Sequence, residues 1–150
     1  MENSMRLEVS AHSVNESFVR NAIAAFSLPL NPSISQLADV KTAVSEAVTN
    51  CIVHAYRGAD WAEGLGKIVV EAKTFYREDK GVLHIQITDF GRGIADVAQA
   101  LSPFYTTLEE EERSGIGFTA MQTFTDKLEV TSELGKGTSV WMEKIFVDEE

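Results

Sequence analysis

Between residues 37 and 55, Leu37, Val40, Val44, Ala47, Val48, Cys51, Ile52 and Ala55 return at helical spacing. At about 100° per residue they fall in one stripe, so the segment is an amphipathic helix that must bury one face against another layer. The same segment carries Glu46, Thr49, Asn50 and His54. Glu46 and Asn50 stand four residues apart, hence on one face, roughly opposite the stripe. Periodicity alone permits two readings of that face: it meets solvent, or it meets a ligand. His54 reads as a packing or capping group near the helix end, and Cys51, on the apolar side, as core.

The rest of the chain supplies the second layer. Residues 6–11 read as a short strand. Ser13 and Glu16 have capping-box spacing for a first helix running to about residue 28, and Pro29 and Pro32 then break the chain. The long helix begins near S-I-S-Q. Residues 67–76 and 82–89 form a hairpin across R-E-D-K-G; in the second arm Leu83, Ile85 and Ile87 alternate with His84, Gln86 and Thr88. Residues 117–125 read as helix, and a last hairpin pairs K-L-E-V-T-S with T-S-V-W-M-E-K-I-F. Early helices followed by antiparallel hairpins predict an α+β, two-layer sandwich, with a mainly antiparallel sheet and helices on one face. The expectation is one domain over residues 1–150, with residues 147–150 as an acidic, solvated tail.

Charge narrows the functions. The 150 residues carry a formal net charge of −10, which opposes a general field for nucleic acid and predicts no direct DNA binding. A small local pocket for one nucleotide remains compatible. One cysteine excludes an internal disulfide. No run of eighteen apolar residues would span a membrane, and the start carries no basic-then-apolar signal. The expected location is cytoplasmic.

Four places carry chemistry. In the long helix, Asn50 offers a neutral carbonyl oxygen suited to Mg²⁺ beside phosphate, and Glu46 can take a proton from water or a hydroxyl. D-F-G-R-G-I, residues 89–94, follows a strand; Gly91 and Gly93 mark a positive φ or a close backbone approach, and Asp89 can accept from an exocyclic amine. R-S-G-I-G-F, residues 113–118, enters a helix with open N–H groups and a fixed positive charge at Arg113. G-K-G-T-S-V, residues 135–140, turns between strands and offers Lys136 and Thr138. Each signal alone is modest.

Their order is more specific. E-x-x-x-N, D-x-G-x-G, a loop, G-x-G at a helix start and G-x-G-T in a hairpin resemble the GHKL (Bergerat) nucleotide-binding superfamily over nearly the whole chain. V-S-E-A-V-T-N-C-I-V-H-A-Y, S-P-F-Y-T-T, E-R-S-G-I-G-F and N-E-S-F-V-R further resemble the anti-sigma F kinases of spore-forming bacteria. The related stress-response anti-sigma kinases match these phrases less well.

The resemblance implies an ATP/ADP-binding protein serine kinase that holds a sigma factor and phosphorylates an anti-anti-sigma factor, as a homodimer. It implies that Asn50 ligates Mg²⁺ and that Glu46 is the general base. Asp89 would read adenine, with Gly91 and Gly93 making room for the base. Ser114, Gly115, Ile116 and Gly117 would offer N–H groups to phosphates, and Thr138 would complete the adenine pocket. Residues 95–114 resemble a lid, in which Arg113 would lie near the γ-phosphate and the docked partner. Glu16 and Arg20 resemble a partner-binding surface. A sigma-binding module gated by nucleotide, without turnover, is the alternative. Two stretches depart from the pattern: a longer loop around 57–66, and T-T-L-E-E-E-E-R, where Glu109, Glu110, Glu111 and Glu112 are expected to point outward.

Overall fold

The computed structural model describes residues 2–56, 66–101 and 118–148. Five strands form one antiparallel sheet: β1 (Asn3–Ser10), β2 (Lys67–Arg77), β3 (Lys80–Asp89), β4 (Lys127–Glu133) and β5 (Gly137–Phe146), in the order β1-β2-β3-β5-β4. Four α-helices accompany them among the described residues: α1 (Val14–Ser27), α2 (Ile34–Thr49), α3 (Val97–Leu101) and α4 (Thr119–Phe124). The inner sheet face carries Ile68, Val70, Leu83, Ile85, Ile87, Val140 and Met142. These share one core with Val19 and Ile23 of α1 and with Val40, Val44 and Val48 of α2. The predicted apolar stripe is thus the side of α2 that closes the core, and the α+β sandwich is the architecture observed.

Local chemistry explains the junctions. β2 turns into β3 through Glu78 and Asp79, at φ 54° and 66°; two consecutive left-handed residues are what a two-residue hairpin needs to match strand twist. The capping box lies at α2, not at α1. Ser33 Oγ accepts from Gln36 N–H at 3.0 Å, and Gln36 Oε1 accepts from Ser33 N–H at 2.9 Å. Gln36 also donates to the Val147 carbonyl at 2.7 Å, tying down the start of the C-terminal segment. Ser13 makes no side-chain cap; Val14 N–H instead donates to His12 Nδ1 at 3.2 Å. Apolar spacing predicts these helices well, whereas which hydroxyl caps depends on the approach of the preceding chain.

The long helix also departs from expectation at its end. It is α-helical only to Thr49 and widens into a π-helix over Asn50–Ala55. Such widened turns are rare and concentrate at functional sites. The helix then ends on Tyr56, a residue that joins three elements. Its hydroxyl donates to the Lys67 carbonyl at the start of β2 and accepts from Phe90 N–H, at 2.7 Å, just beyond β3. Its ring packs against Gly66, where an added Cβ would lie 2.4 Å from the ring.

Tyr56→Phe keeps the ring and removes both hydrogen bonds, leaving a part-buried carbonyl and N–H without that partner. The expected cost is about 1–3 kcal/mol, read as a lower urea midpoint. An unchanged midpoint would show that the hydroxyl does not hold the helix end to the sheet.

Candidate functional site

The centre of the site is Asp89, the last residue of β3, whose surface is only 6% exposed. Its Oδ1 accepts from Gly91 N–H at 3.0 Å and from Thr138 N–H at 3.2 Å. Its Oδ2 accepts from the Cys51 thiol at 3.7 Å. Burial pushes the Asp89 carboxyl above its usual range, and the bonds from Gly91, Thr138 and Cys51 offset this only in part. Burial, and then the negative charge of Asp89, push the Cys51 thiol well up, so it keeps its proton and donates it. Cys51 is therefore core, as predicted, and also a support for the carboxylate.

Gly91 and Gly93 are needed for backbone approach. A Cβ on Gly91 would lie 2.1 Å from the Ala55 carbonyl oxygen, and one on Gly93 would lie 2.2 Å from the Glu133 carbonyl oxygen. Gly93 also sits at φ 75°, in the left-handed region. The adjoining Arg92 backbone clasps both sides: its N–H donates to the Ala55 carbonyl at 2.9 Å, and its carbonyl accepts from Gly135 N–H at 2.8 Å. Ala55 ends the π-helix, where carbonyls lack helical partners. D-F-G-R-G thus stitches the end of the long helix to the β4–β5 turn.

A cleft opens over this clasp, with Asn50, Cys51, His54, Asp89, Gly93 and Thr138 among its walls. Ile94, Phe118 and Val140 give it apolar surface. A deep acceptor within largely apolar walls is suited to a flat base bearing an amine. Asn50 also lines a second groove, which holds Arg20, Lys41, Ser45, Glu46 and Thr49. Glu46 is half-buried there. Its carboxylate accepts from Ala120 N–H at 3.2 Å and Met121 N–H at 3.5 Å, at the start of α4. Glu16 and Arg20 pair on α1, with Arg20 Nε 3.6 Å from Glu16 Oε1.

The structure therefore gathers Asn50, Asp89, Gly93 and Thr138 around one cleft and Glu46, Asn50 and Arg20 around the adjoining groove. Gly91 lies beneath the cleft against Ala55. Lys136 is directed to Glu133, with 3.3 Å between the charged atoms. Arg113, Ser114, Gly115, Ile116 and Gly117, the acidic run 109–112 and residues 102–114 of the expected lid lie outside the described residues. Residues 95–101 include helix α3, which the mixed polarity of that stretch did not signal. Tyr56, Arg92 and Ser132 are site supports that sequence reasoning missed. Only Tyr56, directly after the helical pattern, carried a local hint.

Comparison with known proteins places this geometry in a class. The family model described as "Histidine kinase-like ATPase domain" matches residues 9–144. An anti-sigma F factor of Caldanaerobacter subterraneus subsp. tengcongensis is 51% identical over 142 residues, 95% of this chain and 93% of that protein. Anti-sigma F factors of Clostridium botulinum and Geobacillus thermodenitrificans are 49% and 44% identical, over 97% and 96% of this chain and 96% and 93% of theirs. A crystal structure of the RsbU and RsbW domains of a Mycobacterium tuberculosis protein superposes with a TM-score of 0.65 at 18% identity. It covers 97% of this chain, which spans 33% of that one, and supports the fold alone. The chain belongs to the histidine kinase-like ATPase domains and, within them, to the anti-sigma F factor family. It is accordingly a nucleotide-binding domain. Among the described residues, no helix is long and apolar enough to cross a membrane.

Asp89→Asn gives two opposite effects. Removing a buried charge relieves the desolvation penalty, so the unfolding midpoint of the nucleotide-free protein rises by roughly 2–5 °C. The folded-state pKa of Asp89 is raised, so its penalty is present at neutral pH and fades as pH falls towards about 4; the advantage of the variant fades with it. If Asp89 accepts from the amine of a bound base, nucleotide affinity falls about a hundredfold, because an amide N–H then faces that amine. Calorimetry across pH and a nucleotide titration check both; tight nucleotide binding by the variant would remove Asp89 from the site.

Proposed function

We propose that this chain is an ATP-dependent protein serine kinase that also holds a sigma factor of the sporulation type, and that its substrate is a serine on an anti-anti-sigma factor. One observation carries the reading. The cleft of Asp89 and the groove of Glu46 and Arg20 meet at Asn50, which lines both. A nucleotide base seated at Asp89 would direct its phosphates towards Asn50, at the boundary with a groove open to another protein. The names of the relatives support the anti-sigma role. The homodimer is expected from the family resemblance, and the cytoplasmic setting from the single cysteine, which suits a reducing compartment.

Each residue then has a task. Asp89 accepts from the adenine amine, and Thr138 completes that end of the cleft. Asn50 is the residue that would hold Mg²⁺. One amide oxygen at the cleft mouth is the sparse protein contribution that a hydrated Mg²⁺ beside phosphates uses. Bound there, Mg²⁺ supplies charge neutralisation for the phosphate oxygens. Glu46, steadied by two amides of α4, takes the proton from the partner's serine hydroxyl. The serine oxygen bonds to the γ-phosphorus, the bond from that phosphorus to the β–γ bridging oxygen breaks, and ADP leaves. Positioning and charge stabilisation do most of the work in such transfers. Ser114 to Gly117 would offer N–H groups to the phosphates, and Arg113 a positive charge. Arg20, paired with Glu16 and lining the groove, would meet the docked partner.

A second reading has its own support. Glu46 caps the start of α4, a duty sufficient to explain a carboxylate there without catalysis. The chain would then be a sigma-binding module gated by nucleotide.

Glu46→Gln separates the two. Its amide oxygen can still accept from Ala120 N–H, the shorter of the two bonds, while the weaker bond from Met121 N–H and the basicity are lost. Labelled ATP, Mg²⁺ and an anti-anti-sigma factor are mixed with each form. The kinase reading expects label on a partner serine, reduced at least about a hundredfold in the variant, with ATP affinity within about threefold of wild type. Equal labelling by both forms would remove Glu46 as the base; no label from wild type, with ATP bound, would favour the gated module.

A further inference from the structure

We infer that Ser132, on β4, is a positioning residue that makes the Thr138 hydroxyl an acceptor towards the cleft, and so contributes to selecting a 6-amino purine over a 6-oxo purine. The inference rests on the proposed seating of a purine base at Asp89. It goes further by assigning a specificity role to a residue outside the cleft lining.

Ser132 pairs directly across the hairpin with Thr138. Its Oγ has three neighbours: the Ile94 N–H at 2.7 Å, the Gly137 carbonyl at 3.0 Å and Thr138 Oγ1 at 2.8 Å. The Ile94 N–H can only donate, and the Gly137 carbonyl can only accept. A serine hydroxyl has one proton and two lone pairs. Ser132 therefore gives its proton to Gly137 and accepts from Ile94. Its remaining lone pair takes the proton of Thr138. With that proton committed, Thr138 Oγ1 presents lone pairs alone to the cleft it lines.

Asp89, bonded to Thr138 through the backbone N–H, is acceptor-only as well. Two acceptor-only groups at the base end favour a ligand edge that donates. An exocyclic amine at position 6, reached directly or through one water, does so. A carbonyl at position 6 places oxygen against oxygen. A site built to bond one group rejects the analogue lacking it, because its buried polar atoms are then left unmatched. Without Ser132, the Thr138 hydroxyl is free to rotate and donate to a carbonyl.

ATP and inosine triphosphate, which differ at this edge of the base, form the test. Their dissociation constants are measured by titration with the full chain, for wild type, Ser132→Ala and Ser132→Thr. Wild type is expected to prefer ATP. Ser132→Ala should narrow the preference about tenfold, chiefly through tighter binding of inosine triphosphate, and Ser132→Thr, which keeps a hydroxyl, should restore it. A purely structural role would weaken both ligands together and leave the ratio unchanged; that result, with wild type still selective, overturns this inference alone. A wild type that binds neither nucleotide overturns the seating of the base, and this inference with it.

Discussion

A carboxylate buried to the degree of Asp89 carries a desolvation cost, and much of the site is arranged around meeting that cost. Its donors come from three separate places: the thiol of Cys51 from the long helix, the N–H of Gly91 from the turn after β3, and the N–H of Thr138 from β5. Each can reach the carboxylate only if the helix end, the turn and the last hairpin close together. The glycines allow that closure, since side chains at 91 and 93 would meet carbonyls of Ala55 and Glu133. Tyr56 bolts the same helix end to β2 and to the residue after Asp89. The penalty persists, because the donors do not fully offset burial. A charge kept in the core at such a cost supports the role proposed for Asp89 in receiving the base.

The long helix connects this interior to the surface. One side completes the core through Val40, Val44 and Val48. The next strip, from Asn50 through Cys51, His54 and Ala55, forms a wall of the cleft, and the π-widened turn belongs to that wall. The remaining strip carries Glu46 into the groove with Arg20. One element thereby lines the core, the cleft and the groove at once. The fixed geometry between the faces suits the proposed phosphoryl transfer between bound molecules.

Much of this was legible in the sequence because it depends on local repetition. The helical stripe, the alternation in β3 and the turn residues between strands predicted the two layers and their order. Asp89, Asn50 and Thr138 were legible through their spacing from glycines and from the stripe. What escaped depends on contacts distant in sequence. The role of Ser132 exists only because β4 pairs with β5 and the segment before α3 passes over both. The π-helix left no periodic signature, since its residues continue the apolar stripe. The cap at Ser33 won over that at Ser13 because Gln36 reached back to it, whereas His12 Nδ1 took the Val14 N–H at the first helix. The switch of Cys51 from plain core to hydrogen-bond donor needed the position of Asp89, 38 residues away.

The central claim is that Asp89 receives the base and Asn50 the phosphate end of one bound nucleotide. A crystal structure of the chain with Mg²⁺ and a non-hydrolysable ATP analogue tests it most directly. The account predicts the adenine amine within hydrogen-bond distance of an Asp89 carboxylate oxygen, and the Asn50 side-chain oxygen on the metal beside the phosphates. A nucleotide bound elsewhere, or one whose base is turned away from Asp89, would contradict it.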